Sequence, residues 1–239
     1  MKKTITVVTG GHGGMGKAIC KELGKTSAIV LAGRNLAKME TAKAELDELG
    51  VESYCCKTDI ADRAQVQALA DYAASLGDVL QVIHTSGVSP SDTATETSLK
   101  STRSARSIWS RHSIRCWPMA GEAEDEEGEF FRAGLAYAMS KKFVIYFTQK
   151  NVSRFAEKHC RILSISPGCY LTPMHQKLID NQPETAENQL ELIPAGRWGY
   201  PYEMGALTAF LCSSGAGYIN GVDILADGGQ NAGIFVPQI

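Results

Sequence analysis

Short apolar, β-branched runs alternate with amphipathic stretches from the first residues of the chain. ITVVT at 5–9 predicts a strand, Met15 to Lys25 a helix, AIVLA at 28–32 a second strand and KMETAKAELDELG at 38–50 a second helix. The pattern continues with a strand near Ser53 to Lys57, a helix over Arg63 to Leu76 and LQVIHT at 80–85. Farther on it predicts a long helix from Ala136 to Lys158, a strand RILSIS at 161–166, a looser region to about Trp198, a helix from Pro201 to Ser213 and a strand VDILA at 222–226. Strands alternating with helices are the sign of βαβ units. The expectation is a doubly wound α/β fold, a mostly parallel sheet with helices on both faces, forming a single domain over 1–239. Ligands of such folds bind outside the carboxyl ends of the strands.

Composition narrows the function classes. The chain has 239 residues, 44% hydrophobic and 21% charged, enough for one sizeable core. A formal net charge of -2 argues against a nucleic-acid partner, which favours a clearly basic domain. No run of ~18 apolar residues suggests a membrane span, and Met-Lys-Lys followed by Thr4 to Thr9 is too short for a signal sequence. A cytoplasmic location without membrane association is expected. The seven cysteines are odd in number and include no CxxC pair, so they read as reduced thiols, and no metal site is expected.

The stretch TGGHGGMG, Thr9 to Gly16, follows the first strand and opens the first helix. Glycines there permit a tight turn and let backbone N–H groups and the helix N-terminus approach a pyrophosphate. The second strand sharpens the reading. A ribose 2′-hydroxyl is met by a carboxylate about 20 residues on, whereas a 2′-phosphate is met by an arginine. Here the strand ends Ala32-Gly33-Arg34-Asn35, with no acid, and the planar fork of Arg34 suits a phosphate. NADP(H) is therefore the expected cofactor, ahead of NAD.

These residues and those that follow resemble the short-chain dehydrogenase/reductase family, with its Rossmann-type fold. Thr9-Gly10-xxx-Gly14-x-Gly16 matches its glycine loop, Asp59-Ile60 its adenine-side pair, and His84-Thr85-Ser86-Gly87 stands where the family has NNAG, keeping only the glycine. Tyr137-Ala-Met-Ser140-Lys141 is a full YxxSK, Pro167-Gly168 with Thr172 matches PGxxxT, and Arg197-Trp-Gly199-x-Pro201-x-Glu203 through Asp227-Gly228-Gly229 matches the carboxyl-terminal part. The motifs fall in family order, each at the expected strand end or helix start. Tyr137 and Lys141 lie four apart and share a helix face, where an ammonium favours phenolate and makes the phenol a usable acid or base. The resemblance implies that Tyr137 protonates a carbonyl oxygen while hydride arrives from the nicotinamide, and that Lys141 also holds the nicotinamide ribose. It implies cofactor contacts at Gly10, His12, Gly14, Met15, Gly16, Arg34, Asp59, Ile60, Ser86, Gly87, Tyr137, Lys141, Pro167, Gly168 and Thr172. A small alcohol or carbonyl substrate and a homo-oligomer, dimer or tetramer, belong to the same expectation. His12 and His175 fall near the expected site without an assigned catalytic role.

Two family residues are missing. A serine on the strand before the catalytic helix cannot be found, since no Ser lies between Ser113 and Ser140, and no asparagine stands on the preceding helix. No fifth strand can be read there, and the spacing from Gly87 to Tyr137 is short for the family. The tract STRSARSIWSRHSIRCWP, Ser101 to Pro118, carries four arginines and no acid, and acids 122 and 124–127 follow it. Those acids would cancel the field of a basic nucleic-acid patch. With suitable codons, shifting the tract by one base gives INALGPIYMVEAFYPVLA, which resembles the family's helix at this point and places its asparagine where Thr102 stands. The region 101–133 is accordingly read as irregular, disrupted by a frameshift and a deletion. The alternative to an active oxidoreductase is an impaired or silent NADP(H)-binding protein lacking the family's Ser and Asn.

Overall fold

The computed structural model of the chain describes residues 2–86 and 126–235, with the backbone alone over 126–137 and at 235. Four strands, β1 (Thr4–Thr9), β2 (Ala28–Gly33), β3 (Ser53–Lys57) and β4 (Asp78–His84), form one sheet in the order β3-β2-β1-β4. Every pairing is parallel. The connecting helices are α1 (Gly14–Leu23), α2 (Leu36–Glu48) and α3 (Arg63–Leu76).

The period of two along the strands explains the layering. Val8, Ile29 and Leu31 face one side, where they pack with Ile19, Cys20 and Leu23 of α1 and Met39 and Leu46 of α2. Ile5, Val7, Ala28, Val30 and Ala32 face the other, against Leu69 and Ala73 of α3. All six positions of β2 are buried, as a strand covered on both faces requires. Asn35 and Asp62 cap α2 and α3 by accepting from backbone N–H groups two or three residues on.

The second half begins with a long helix, α4 (Glu126–Lys150), and a short one, α5 (Val152–Ala156). The sequence placed this helix at 136–158. It starts at Glu126 instead, because the segment EEGEFFRAGLAYAMSKK is dominated by good helix formers. It breaks at Asn151, whose side-chain amide donates to the Phe147 carbonyl at 2.8 Å and competes with the helical ladder. The looser region before Trp198 contains two further helices, α6 (Pro173–Asn181) and α7 (Pro183–Glu191). Each opens on a proline at a first-turn position, and Thr172 caps α6. A helix α8 (Pro201–Cys212) and a last one, α9 (Gln230–Phe235), complete the helices used below.

The remaining strands, β5 (Ser164–Pro167) and β6 (Asp223–Ala226), pair in parallel with each other. Among the described residues the strands form parallel ladders of four and two, in keeping with the expected α/β fold. Residues 87–125, including the Ser101–Pro118 tract and its shifted reading, lie outside the described residues, and of the segment 101–133 only the helical backbone from 126 is described. The two sheets share one core, since Ile165 of β5 and Ala226 of β6 pack with the cluster around Val8, and α8 packs along α1. The contact is close at Gly205, where a Cβ would lie 2.7 Å from the Ala18 carbonyl oxygen.

The Arg197 and Glu203 motif positions form a bidentate ion pair at 2.9 and 2.7 Å, and Tyr200 N donates to the same carboxylate at 2.7 Å, closing the N-terminus of α8. The Arg197 hydrogen bonds, with that backbone donor, hold Glu203 down at about 2 against an ordinary 4.5. A carboxylate with a depressed folded-state pKa stabilises the fold fully above the unfolded value and loses that contribution as pH falls through the folded one. Thermal midpoints of Glu203→Gln should thus lie below wild type at neutral pH, and the difference should close as pH falls from 4.5 toward 2. A gap unchanged across that window would remove the ion pair as its cause.

Candidate active site

The carboxyl ends of β1 and β4 lie side by side, with Thr9 paired to His84. Chain order reverses here, β2 and β3 lying beyond β1 on the other side, so this is the crevice where an open α/β sheet receives a ligand. Thr85 fixes it by donating from its backbone N and from Oγ1 to the Thr9 carbonyl, at 3.0 and 2.8 Å.

The glycine loop bridges the crevice under tight limits. Gly10 has φ +73°, and a Cβ there would lie 2.9 Å from Ser86 N. A Cβ on Gly16 would lie 2.5 Å from the Gly10 carbonyl oxygen and 2.8 Å from Thr85 Oγ1. Gly13 caps α1 without any side-chain acceptor, so the first-turn N–H groups and the positive end of the helix dipole face the loop. Gly16→Ala presses a methyl against backbone that cannot rotate away. It should cost about 1–3 kcal/mol of stability and weaken dinucleotide binding, as read by denaturant unfolding and cofactor titration. Unaltered binding would show that the loop is an ordinary turn.

The second half of the chain reaches the same place. A Cβ on Gly14 would meet Thr172 Cβ and Pro173 Cδ at 2.9 Å, so the loop after β5 closes over the glycine loop. Thr172 meanwhile accepts from His175 N at 3.3 Å, and Gly168 lies against Asp227, whose Cα would be 2.6 Å from an added Cβ. Pro167 ends β5.

At the far edge, the ring of His12 lies over Gly33, Nδ1 being 3.4 Å from where that residue's Cβ would stand. That Nδ1 is buried with no hydrogen-bond partner, and burial together with the charge of Lys38 lowers the His12 pKa. Arg34 follows, exposed and, among the described residues, without an ion pair or hydrogen bond. Asp59 shapes the turn after β3 by accepting from Ala61 N at 3.0 Å, with Ile60 half-buried beside it, and Thr58 N donates to the Gly33 carbonyl, tying that turn to the end of β2. Met15 packs against the core, which assigns its side chain to packing.

Tyr137 lies on the backbone of α4, but its side chain, and Gly87 as a whole, are outside the described residues. Lys141, one turn on, is exposed along its length, and partial desolvation lowers the pKa of its ammonium. His84, which the motif comparison left without a role, hydrogen-bonds through Nδ1 to Thr9 Oγ1 at 2.8 Å. The signal in the sequence was a histidine closing the apolar run LQVI in register with the end of ITVVT. The ring of His175 stands edge-on to Trp198 at 4.4 Å, with Nε2 buried and unpartnered. A cleft of about 270 Å³ lies behind the loop, lined by Cys169, Arg197, Glu203 and Asp227. Its charges are already engaged, Arg197 with Glu203 and Asp227 with Asn231 at 2.8 Å.

Residues 10–231 match the short-chain dehydrogenase/reductase family model described as enoyl-(acyl carrier protein) reductase. The chain belongs to the short-chain dehydrogenase/reductase family. It is 30% identical over 242 residues to D-threitol dehydrogenase of Mycolicibacterium smegmatis, covering 94% of this chain and 92% of that one. It is 28% identical over 248 residues to nodulation protein G of Azospirillum brasilense, covering 97% and 99%. Among solved structures it is similar to a variant of actinorhodin polyketide ketoreductase with NADPH, at TM-score 0.74 and 21% identity over 95% of this chain and 97% of that one. That likeness establishes the fold. As a family member the protein is an oxidoreductase with a Rossmann-type α/β domain.

The described residues fit a dinucleotide of the kind this family uses. Gly10, Gly14 and Gly16 let the loop close against Ser86, Thr172 and Thr85 without a side chain, Gly13 leaves the start of α1 without a side-chain cap, and His12 Nδ1 is an orphaned polar atom beside the cationic end of β2. Among the described residues no group of three or more His, Cys, Asp or Glu gathers to hold a metal, and no described helix is long and apolar enough to cross a membrane.

Proposed function

We propose that the protein is an NADP(H)-dependent oxidoreductase interconverting a ketone or aldehyde and an alcohol. The observation that carries the reading is the convergence of three distant segments on one crevice, Gly14 against Thr172 and Gly16 against Thr85, with Arg34 at its outer edge. When bound, the nicotinamide cofactor supplies or accepts the hydride. The chain's residues do the rest. The glycine loop and the start of α1 receive the pyrophosphate through backbone N–H groups, with Gly10, His12, Gly14, Met15 and Gly16 forming that contact surface. Arg34 pairs with the 2′-phosphate, and Asp59 and Ile60 border the adenine. Ser86 and Gly87 border the middle of the cofactor, Pro167 and Gly168 shape the loop beneath the nicotinamide, and Thr172 bonds its carboxamide. Tyr137 gives a proton to the carbonyl oxygen, and the Lys141 ammonium, four residues on, stabilises the phenolate left behind. Lys141 also holds the nicotinamide ribose.

The substrate is a small alcohol or carbonyl compound, and a homodimer or homotetramer in the cytoplasm belongs to the same reading. The test is oxidation of NADPH in the presence of a panel of aldehydes and ketones, with NADH as the comparison. Turnover with NADPH establishes it. NADPH binding without turnover of any carbonyl would overturn it in favour of a silent binder, the reading left open by the family Ser and Asn that the sequence lacks.

A further inference from the structure

The loop after β5 is held from two sides. Gly199 N donates to the Cys169 carbonyl at 2.9 Å and Leu171 N donates to the Gly199 carbonyl at 2.8 Å, so the segment 197–199 runs beside 169–171. The bidentate Arg197–Glu203 pair ties that segment to the start of α8. On the other side Thr172 and Pro173 close on Gly14, and Thr172 Oγ1 accepts from His175 N at 3.3 Å. That bond uses a lone pair, so the hydroxyl hydrogen of Thr172 stays available to an acceptor outside the turn. The side chain of His175 joins the two sides. Its half-buried ring stands edge-on to half-buried Trp198, with centroids 4.4 Å apart and planes at 70°. Nε2 is buried and has no hydrogen-bond partner among the described residues.

We propose that His175 is a positioning residue for Thr172: its neutral ring clamps the first turn of α6 onto Trp198, and protonation of the ring releases that turn. This rests on the reading above in which Thr172 bonds the nicotinamide carboxamide. An edge-to-face pair at this spacing is an attractive contact for the neutral ring. A hydrogen placed on the buried Nε2 has no acceptor there and brings a desolvated charge with it, so the packed geometry suits the uncharged ring alone. Burial holds the His175 pKa below its ordinary 6.5. The charged side chains around it are Lys177 and Asp180 on α6, Arg197 beside Trp198, and Glu184, Glu187 and Glu191 at exposed positions of α7, which packs on α6. The glycine loop offers only His12, which lies over Gly33. Asp180 accepts from Gln176 Nε2 at 2.9 Å and Glu203 takes Arg197, so both carboxylates are engaged elsewhere. A ring that takes up a proton must therefore turn Nε2 toward water, which opens the edge contact and frees the Thr172 hydroxyl from its place against Gly14. The clamp is complete above pH 6.5 and is lost as pH falls through the lower pKa of the folded protein.

Neither test depends on turnover. By NMR the ring of His175 should titrate below 6.5 in the wild-type protein and move up toward 6.5 in Trp198→Ala, a gain of roughly threefold in proton affinity. An unchanged titration overturns the clamp. Positioning is read from the ratio of NADP⁺ affinity to 2′,5′-ADP affinity, since 2′,5′-ADP lacks the nicotinamide half. Both ligands carry the 2′-phosphate, so its own titration near pH 6 cancels. In the wild-type protein the ratio should fall roughly 2- to 10-fold from neutral pH to below the His175 pKa. His175→Phe keeps an aromatic edge and cannot take a proton, so it should hold the neutral-pH ratio and keep it flat. In Thr172→Val the pH dependence should vanish, because nothing remains for His175 to position. A ratio that still falls with pH in His175→Phe, or that falls in Thr172→Val as in wild type, overturns the positioning role. If the wild-type protein binds neither ligand, the reductase reading fails and the positioning role with it, while the ring titration still decides the clamp.

Discussion

Tyr137→Phe is expected to reduce NADPH-dependent carbonyl reduction by ~100- to 10,000-fold, the range lost when a positioned general acid is removed. The substitution deletes one oxygen and keeps the ring, so helix α4 and its packing are retained. On the proposed mechanism, the proton for the carbonyl oxygen would then have to come from water, which is neither oriented nor adjusted in pKa. In the proposed mechanism Lys141 supplies that adjustment: it lies four residues on in α4, and desolvation lowers its own pKa. An ammonium poised in this way shares its proton readily with a phenolate. The loss should fall mainly on kcat, because the substitution removes the proton donor and leaves the proposed cofactor contacts at the glycine loop, Arg34 and Thr172 in place. Stopped-flow NADPH oxidation alongside equilibrium titration of the cofactor separates the two. A variant retaining most of the wild-type kcat would remove Tyr137 from the chemistry.

Arg34→Ala is expected to weaken NADPH binding roughly 10- to 150-fold, the equivalent of losing one charged hydrogen-bonded contact worth about 1.5–3 kcal/mol. NADH binding should change little, since NADH has no phosphate for the guanidinium. Arg34 is exposed, so the effect should sit toward the lower end of that range and shrink as salt is raised. Its neighbours reinforce the assignment, because Lys38, in the first turn of α2, is close enough to act on His12 and adds a second cation near the end of β2. Titrations of both dinucleotides at two salt concentrations give the answer. Equal losses for NADPH and NADH would mean that Arg34 holds the ribose region in general and does not select the phosphate.

Much of this molecule follows from local sequence. The apolar runs 5–9 and 28–32 lie in strands buried from Ile5 onward, because a continuous β-branched run can satisfy a strand covered on both faces and little else. The helix at 63–76 was bounded by an aspartate that caps it and a glycine that ends it. The prolines at 173 and 183 equally announced two helices in the region taken as loose, and there the signal lay in the sequence unused. The start of the long helix was placed late because its first turns are acidic and polar, and polar helix faces leave no periodic apolar stripe.

The site divides along the same line. Sequence determined by itself that a glycine loop joins a strand to a helix and that an arginine ends the next strand, since turn conformation and residue chemistry are local properties. It also placed a tyrosine and a lysine one helical turn apart. Only the tertiary structure decided that Gly14 meets Thr172 and that His84 is anchored on Thr9 across the sheet, because contacts between residues 75 or more positions apart depend on register and packing. A hydrogen bond such as Thr9 to His84 exists because two strands align end to end, and nothing in either segment alone specifies that alignment.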